Sequence, residues 1–316
     1  MAQLYAARTG RRGESLASRI GRDFKKNKAY YLMFLPVLAF FLLFRYLPML
    51  GITIAFQDYQ PRGGFWNSPW VGLKHFEDFL TGFYFWRVFR NTILLNLYSL
   101  LFVFPSSIIL ALLINEARNR RFKKAAQTVS YLPHFISTVV FCGMIVDFVS
   151  QNGIVNYFLS MFGFEPENLL MRPELFRAIY IVSDIWKSAG WGSILYLAAL
   201  SGIDTQLYES ASIDGASRLR QMFSITLPGI SPTIVIMLII KIGSMMTMDF
   251  ERVILLYNPV ILETADVISS YVYRKGILEM NYSFSTAVDF FNSIINFSLV
   301  IFANWFSRRV NETSLW

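Results

Sequence analysis

The run FRNTILLNLYSLLFVFPSSIILALLINEARNRRFKK, residues 89–124, decides where this chain lies. From Phe89 to Ile114 it is almost wholly apolar, beyond the roughly 20 residues that carry an α-helix across a hydrocarbon core. It then presents Arg118, Arg120, Arg121, Lys123 and Lys124 in one short cluster. Basic clusters beside a span stay on the cytoplasmic side. The reading is a helix that crosses a bilayer and ends inside the cell.

The same pattern recurs outward from that segment. Apolar residues make up 54% of the 316 positions and charged residues 16%, so lipid must solvate much of the surface. Further spans are expected over Tyr30 to Ala55, Tyr131 to Val149, Phe176 to Leu200, Ile230 to Asp249 and Thr286 to Phe306. Before the first span come Arg8, Arg11, Arg12, Arg19, Arg22, Lys25, Lys26 and Lys28, and after the last come Arg308 and Arg309. The segments on the other side hold only Arg62, Lys74, Arg87, Arg172, Arg252, Arg274 and Lys275. Both termini are therefore expected in the cytoplasm of an inner-membrane protein with about six transmembrane helices.

Four regions follow. They are a basic tail over 1–29, a first span and external loop over 30–87, a five-helix core over 88–306, and a tail over 307–316. The net charge of +8 follows membrane topology, so nucleic acid is not a predicted partner. The basic tail is a topology signal first, with specific contact to anionic lipid or a partner a secondary use. The apolar run after Lys28 outlasts a signal-peptide core and lacks a small-x-small cleavage pattern. With one cysteine, Cys142, and two histidines, His75 and His134, neither an intrachain disulfide nor a His/Cys metal site is expected. No G-x-x-x-x-G-K-[ST] loop occurs, so ATP hydrolysis cannot reside in this chain.

One loop is not short and basic. Residues 207–228, LYESASIDGASRLRQMFSITLP, read as helix, break, helix, stop. Glu209, Ala211 and Ile213 suit a first helix, Asp214-Gly215 offers a turn where positive φ is cheap, Ala216 to Ile225 suit a second helix, and Pro228 marks its end. This stretch resembles the EAA loop of ABC importer permeases: Glu-Ala-Ala, three residues, Gly, nine residues, Ile-x-Leu-Pro. Glu209, Ala211, Gly215, Ile225, Leu227 and Pro228 fall in register, Asp214, Ala216 and Phe223 resemble the sugar-transporter version, and Ser210 replaces the middle alanine. The resemblance continues through Leu47 to Tyr59, Trp70 to Phe76, Arg90-Asn91-Thr92, Ala111 to Glu116 and Tyr131 to Ser137, which are similar to the LplB-type branch of carbohydrate permeases.

That resemblance implies an all-α, MetI-like type I ABC importer permease core. It implies a loop that couples to a cytoplasmic ATPase and a substrate of oligosaccharides or complex sugars. It also implies partners: a second related permease subunit forming a heterodimer, two ATP-binding subunits that hold ATP and Mg, and an extracellular or periplasmic solute-binding protein. No cofactor is expected in this chain itself.

Ionisable residues within spans are functional candidates. Asp147, Asp184, Lys187, Lys241 and Asp249 qualify, and Asp184 with Lys187, three apart, can pair on one helix face. A sugar path should mix amides with aromatic rings. Trp186, Trp191, Ser193 and Tyr196 on the fourth span and Phe291, Asn292 and Asn296 on the sixth offer that mix, although interfacial belts and interhelical hydrogen bonds use the same residue types. An ion-gradient-driven secondary transporter is the alternative, with the intramembrane acids as coupling sites. A membrane enzyme would need converging acids, and nothing in the spacing of Glu165, Glu167, Glu251, Glu263 and Asp266 marks such a site.

Overall fold

The structure, a computed structural model, describes residues 23–24, 26–246 and 250–311. Most of the basic N-terminal tail, Asp249 and the last five residues lie outside the described residues. Among the described residues the chain is helical, with one isolated antiparallel pairing of Gln57 with Trp70. It divides into two compact units, Met1–Ile54 and Ala55–Trp316. The first contains nearly all of helix α1 (Lys28–Phe56).

The second unit begins with α2 (Lys74–Leu80) and α3 (Phe85–Glu116), followed by α4 (Arg120–Tyr131). Next come α5 (Thr138–Val149), α6 (Ile154–Ser160), α7 (Pro173–Ser201) and α8 (Thr205–Ile213). The chain closes with α9 (Arg218–Gly243), α10 (Phe250–Leu256), α11 (Ile268–Tyr273) and α12 (Tyr282–Asn311). Among the described residues, α1, α3, α5 with α6, α9 and α12 are long and apolar enough to cross a membrane.

Helix α7 has the length, 29 residues or about 44 Å at 1.5 Å per residue, but carries Glu174, Arg177, Asp184 and Lys187. It tolerates three of these because it runs through the bundle, packed along α3, α9 and α4, where each finds a partner. Arg177 donates to Asn91 Oδ1 at 2.9 Å and Lys187 to Thr138 Oγ1 at 3.1 Å. The expected Asp184–Lys187 pair does not form. Asp184 instead binds Arg252 of α10 at 2.9 Å. The guanidinium lies 3.8 Å over the Tyr180 ring and is 3% exposed. A planar cation that stacks and forks outcompetes an ammonium on the same helix, which turns to a hydroxyl on α5.

Glycines set the closest approaches. A Cβ at Gly190 of α7 would collide with the Ser130 carbonyl at the end of α4, and one at Gly192 with the Ser107 hydroxyl of α3. Three cores result. Leu95, Phe141, Phe176, Tyr180, Val253 and neighbours join α3, α5, α7 and α10. Phe79, Val88, Ile268, Tyr271 and Val288 join α2, α3, α11 and α12. Ala111, Tyr196, Leu200 and Ile230 join α3, α7 and α9.

Several helix boundaries differ from the sequence reading: the fifth span, expected to reach Asp249, stops at Gly243, and the sixth, expected from Thr286, starts at Tyr282. The basic cluster Arg120 to Lys124 sits on α4, capped by the Asn119 side chain, rather than in a loop. The third span starts at Thr138, because Pro133 converts Leu132–Phe135 into a 3₁₀ turn. Pro228 does not end its helix, since α9 runs through it. Each of Pro48, Pro105 and Pro228 stands two residues after a widened π turn, at Leu42–Tyr46, Ser99–Val103 and Met222–Thr226. Such a turn relieves the clash of the proline ring with the preceding turn's carbonyl, so the helix bends instead of breaking.

Candidate coupling and transport sites

The 207–228 segment folds into a hairpin whose every bend has a local cause. The Asp204 side chain accepts the Gln206 N–H at 2.9 Å and starts α8. At its end Gly215 adopts φ +76°. The Ala216 N–H bonds back to the Ala211 carbonyl at 2.9 Å, and the Gly215 N–H to Ser212 at 3.1 Å. These two bonds define a Schellman cap, which needs a left-handed residue where glycine carries no penalty.

Ser217 then caps the first turn of α9 by accepting from the Arg220 N–H at 3.4 Å. Gln221 ties the arms together, its Nε2 donating to Ser212 Oγ at 3.0 Å and to the Ala216 carbonyl at 3.1 Å. Tyr208 and Thr226 share a hydroxyl contact of 3.0 Å. Arg218 reaches Glu116 at the end of α3 at 3.7 Å, which places the hairpin at the same end of the bundle as the basic face of α4.

Within this hairpin Glu209, Ser210, Asp214, Gly215 and Pro228 are exposed, while Ala211, Ala216, Ile225 and Leu227 are half-buried. Ile213 (87% exposed), Leu219 and Phe223 also face outward. These apolar side chains are thus presented to the outside beside the Glu209 carboxylate rather than packed into the bundle.

The expected sugar-path residues fall into separate places. Trp186 packs on Phe141 and Phe148 of α5 and stays part-exposed. Trp191 stacks flat on His134, centroids 4.3 Å apart, with Phe135 edge-on. Ser193 is buried and donates to the Gly190 carbonyl, and Tyr196 is buried edge-on to Phe104. On α12, Phe291 packs against Phe79 and Phe85. Asn292 and Asn296 donate to the Met246 carbonyl at 2.8 Å and the Gly243 carbonyl at 2.6 Å, and Asn296 accepts the Met246 N–H at 3.2 Å. Asn296 thus caps the carbonyl of Gly243, the last residue of α9, and both amides hold Met246 in the turn that follows it. Of the intramembrane charges, Asp147 is exposed at the end of α5 and Lys241 is half-buried near Asp184.

A cluster missed by the sequence reading stands at the opposite end from the hairpin. Asp266, fully buried, accepts Arg87 at 2.9 Å, Arg274 at 2.7 Å and the Ser270 hydroxyl at 3.0 Å. Burial works against the Arg274 charge, but its bond and attraction to Asp266 more than offset this and hold the guanidinium above its usual range. Asn91 donates to the Glu263 and Asp266 carbonyls, and Thr92 accepts the Ile268 N–H.

Comparison with known proteins identifies this helical bundle and its capped hairpin as a permease subunit of an ABC importer. Residues 79–312 match the family described as "Binding-protein-dependent transport system inner membrane component", and the chain belongs to it. It is 43% identical to Protein LplB of Bacillus subtilis (strain 168), over 92% of each protein. It is 45% identical to the polygalacturonan/rhamnogalacturonan transport system permease protein YteP of the same organism, over 92% of this chain and 91% of that one. The crystal structure of a bacterial ABC transporter involved in the import of the acidic polysaccharide alginate contains a chain 45% identical to this one. The TM-score is 0.87, covering 93% of this chain and 99% of that chain. An ion-gradient-driven secondary transporter is set aside by this membership.

Proposed function

We propose that this chain is one of two related transmembrane subunits of an importer for oligosaccharides or other complex carbohydrate. Two cytoplasmic ATPases, which bind the ATP and Mg, drive it, and a solute-binding protein delivers substrate from outside. The observation that carries the coupling role is the capped hairpin: α8 and the start of α9 are locked to each other, and α9 continues without interruption into the membrane. A push on Glu209, Ile213 or Phe223 is therefore transmitted as a rigid-body movement of a spanning helix. The basic face of α4 and the hairpin share one end of the bundle, which by the positive-inside rule is cytoplasmic, as are both termini. Relatives that carry glycans support the substrate class. Trp186, Trp191, Ser193, Tyr196, Phe291, Asn292 and Asn296 stand as candidates for the path, with Asn292 and Asn296 also fixing the point where α9 ends.

Purification of the tagged chain from its native membrane in mild detergent tests this. Co-purification of an ATPase and a second multi-span permease is expected. Recovery of the chain alone, under conditions that preserve other transporter complexes, would overturn the assembly.

A further inference from the structure

Helix α4 presents three faces, and the bundle uses only one of them. Lys123, Ala126, Gln127 and Ser130 are half-buried against the bundle, where Lys123 reaches Asn115 Oδ1 at 3.5 Å and the Ser130 backbone lies against Gly190 of α7. On one outward flank Phe122, Ala125, Val129 and Leu132 follow at helical spacing. The three large side chains of this row, Phe122, Val129 and Leu132, are 64%, 66% and 58% exposed. On the other flank stand Arg120, Arg121 and Lys124, with Arg118 just before the helix, all exposed. Among the described residues no carboxylate lies within ion-pair reach of any of these four.

The fold itself explains neither flank. The cations sit at the start of α4, where the helix dipole favours acids and none is present in the first turn. Membrane orientation accounts for basic residues at this end, but not for an apolar row beside them. The dimensions point to what covers both. From Phe122 to Leu132 the row runs for about 15 Å at 1.5 Å per residue, half of a hydrocarbon core of about 30 Å, which is one leaflet. All four cations stand at the Phe122 end of that row.

We propose that the outward side of α4 is a binding site for an anionic phospholipid of the inner leaflet. The phosphate lies among Arg118, Arg121 and Lys124, where guanidinium groups bind it in bidentate fashion, and an acyl chain runs along Phe122, Val129 and Leu132. A basic flank beside an apolar one is the pattern by which helices recognise anionic membrane surfaces. An acidic face of an ATPase subunit satisfies the cations but not the row, which runs alongside the long helices α3 and α7. The leaflet follows from the topology proposed above, and the pairing does not depend on what is transported.

The test uses the assembled complex in lipid nanodiscs, its partner subunits stripped of cysteine, with a fluorophore on Phe122→Cys. Cys142, the only native cysteine of this chain, is 1% exposed and stays unlabelled in the folded protein. Val129→Cys is a second labelling position should the first disturb assembly. The probes are phosphatidylglycerol and phosphatidylcholine carrying a nitroxide quencher on the acyl chain. Phosphatidylglycerol should quench half-maximally at a mole fraction about tenfold or more below that of phosphatidylcholine, since each basic residue near the surface contributes roughly fivefold. Arg118→Gln with Arg121→Gln and Lys124→Gln should bring the two lipids together, and Arg118→Lys with Arg121→Lys should keep most of the preference. Equal quenching by both lipids with all the cations in place would overturn the site, as would a preference that survives the triple glutamine variant. A label that neither lipid reaches would also overturn it, because a protein surface then covers the row.

Discussion

Removing Arg252 should damage this protein far more than removing Lys187, although sequence spacing alone favours Lys187 as the partner of Asp184. The Arg252 guanidinium is 3% exposed and Asp184 15%, they meet at 2.9 Å, and Tyr180 covers the cation. Breaking such a pair strands a charge in a low-dielectric interior and costs about 3–5 kcal/mol. Lys187→Ala loses one hydrogen bond to Thr138, about 1 kcal/mol. Replacing both charges by apolar residues, Asp184→Leu with Arg252→Met, leaves nothing stranded and should cost much less than the two single changes summed. The assay is built into the chain: the sole cysteine, Cys142, is 1% exposed, so a thiol-reactive fluorophore reports thermal unfolding in detergent. The expected order of destabilisation is Arg252→Ala, then Lys187→Ala, with the apolar double variant well above Arg252→Ala in midpoint temperature. Equal effects of Arg252→Ala and Lys187→Ala, or additive losses in the double variant, would refute the pairing.

Two further changes test packing against function. Gly190→Ala places a methyl group against the Ser130 backbone carbonyl, which no rotamer can relieve, so a loss of about 1–3 kcal/mol is expected in the same unfolding assay. A wild-type midpoint would show that α4 is free to shift. Trp191→Ala removes a ring stacked on His134 but 46% exposed. Transport should fall more than assembly with the partner subunits, and equal loss of both would mean the ring serves packing alone.

Much of this architecture was legible because lipid imposes a simple code. Apolar runs of sufficient length marked the spanning helices. The Asp214-Gly215 turn was readable because a left-handed residue is chemically marked. Pro228 misled because its effect depends on whether the preceding turn can widen, and Met222–Thr226 does so. The partner of Asp184 was invisible for a different reason: Arg252 lies far along the chain, and only the packing of α10 on α5 and α11 sets it there. The same holds for the Arg87–Asp266–Arg274 cluster, whose members span α3 and the segment around α11. Among path candidates, Asn292 and Asn296 look alike in sequence whether they face sugar or a helix end. Only the position where α9 stops shows the second use.

The proposed coupling role turns on Gly215. No atom lies within 4 Å of where its Cβ would be, so substitutions act through the backbone: φ is +76° and the N–H is bonded to Ser212. Proline can satisfy neither condition. Sugar-stimulated ATP hydrolysis by the assembled complex carrying Gly215→Pro is the most direct measurement. The account predicts a normally inserted, assembled permease whose ATPase no longer responds to substrate, with Gly215→Asn retaining most of the response because asparagine tolerates positive φ. Undiminished stimulation in Gly215→Pro would contradict it.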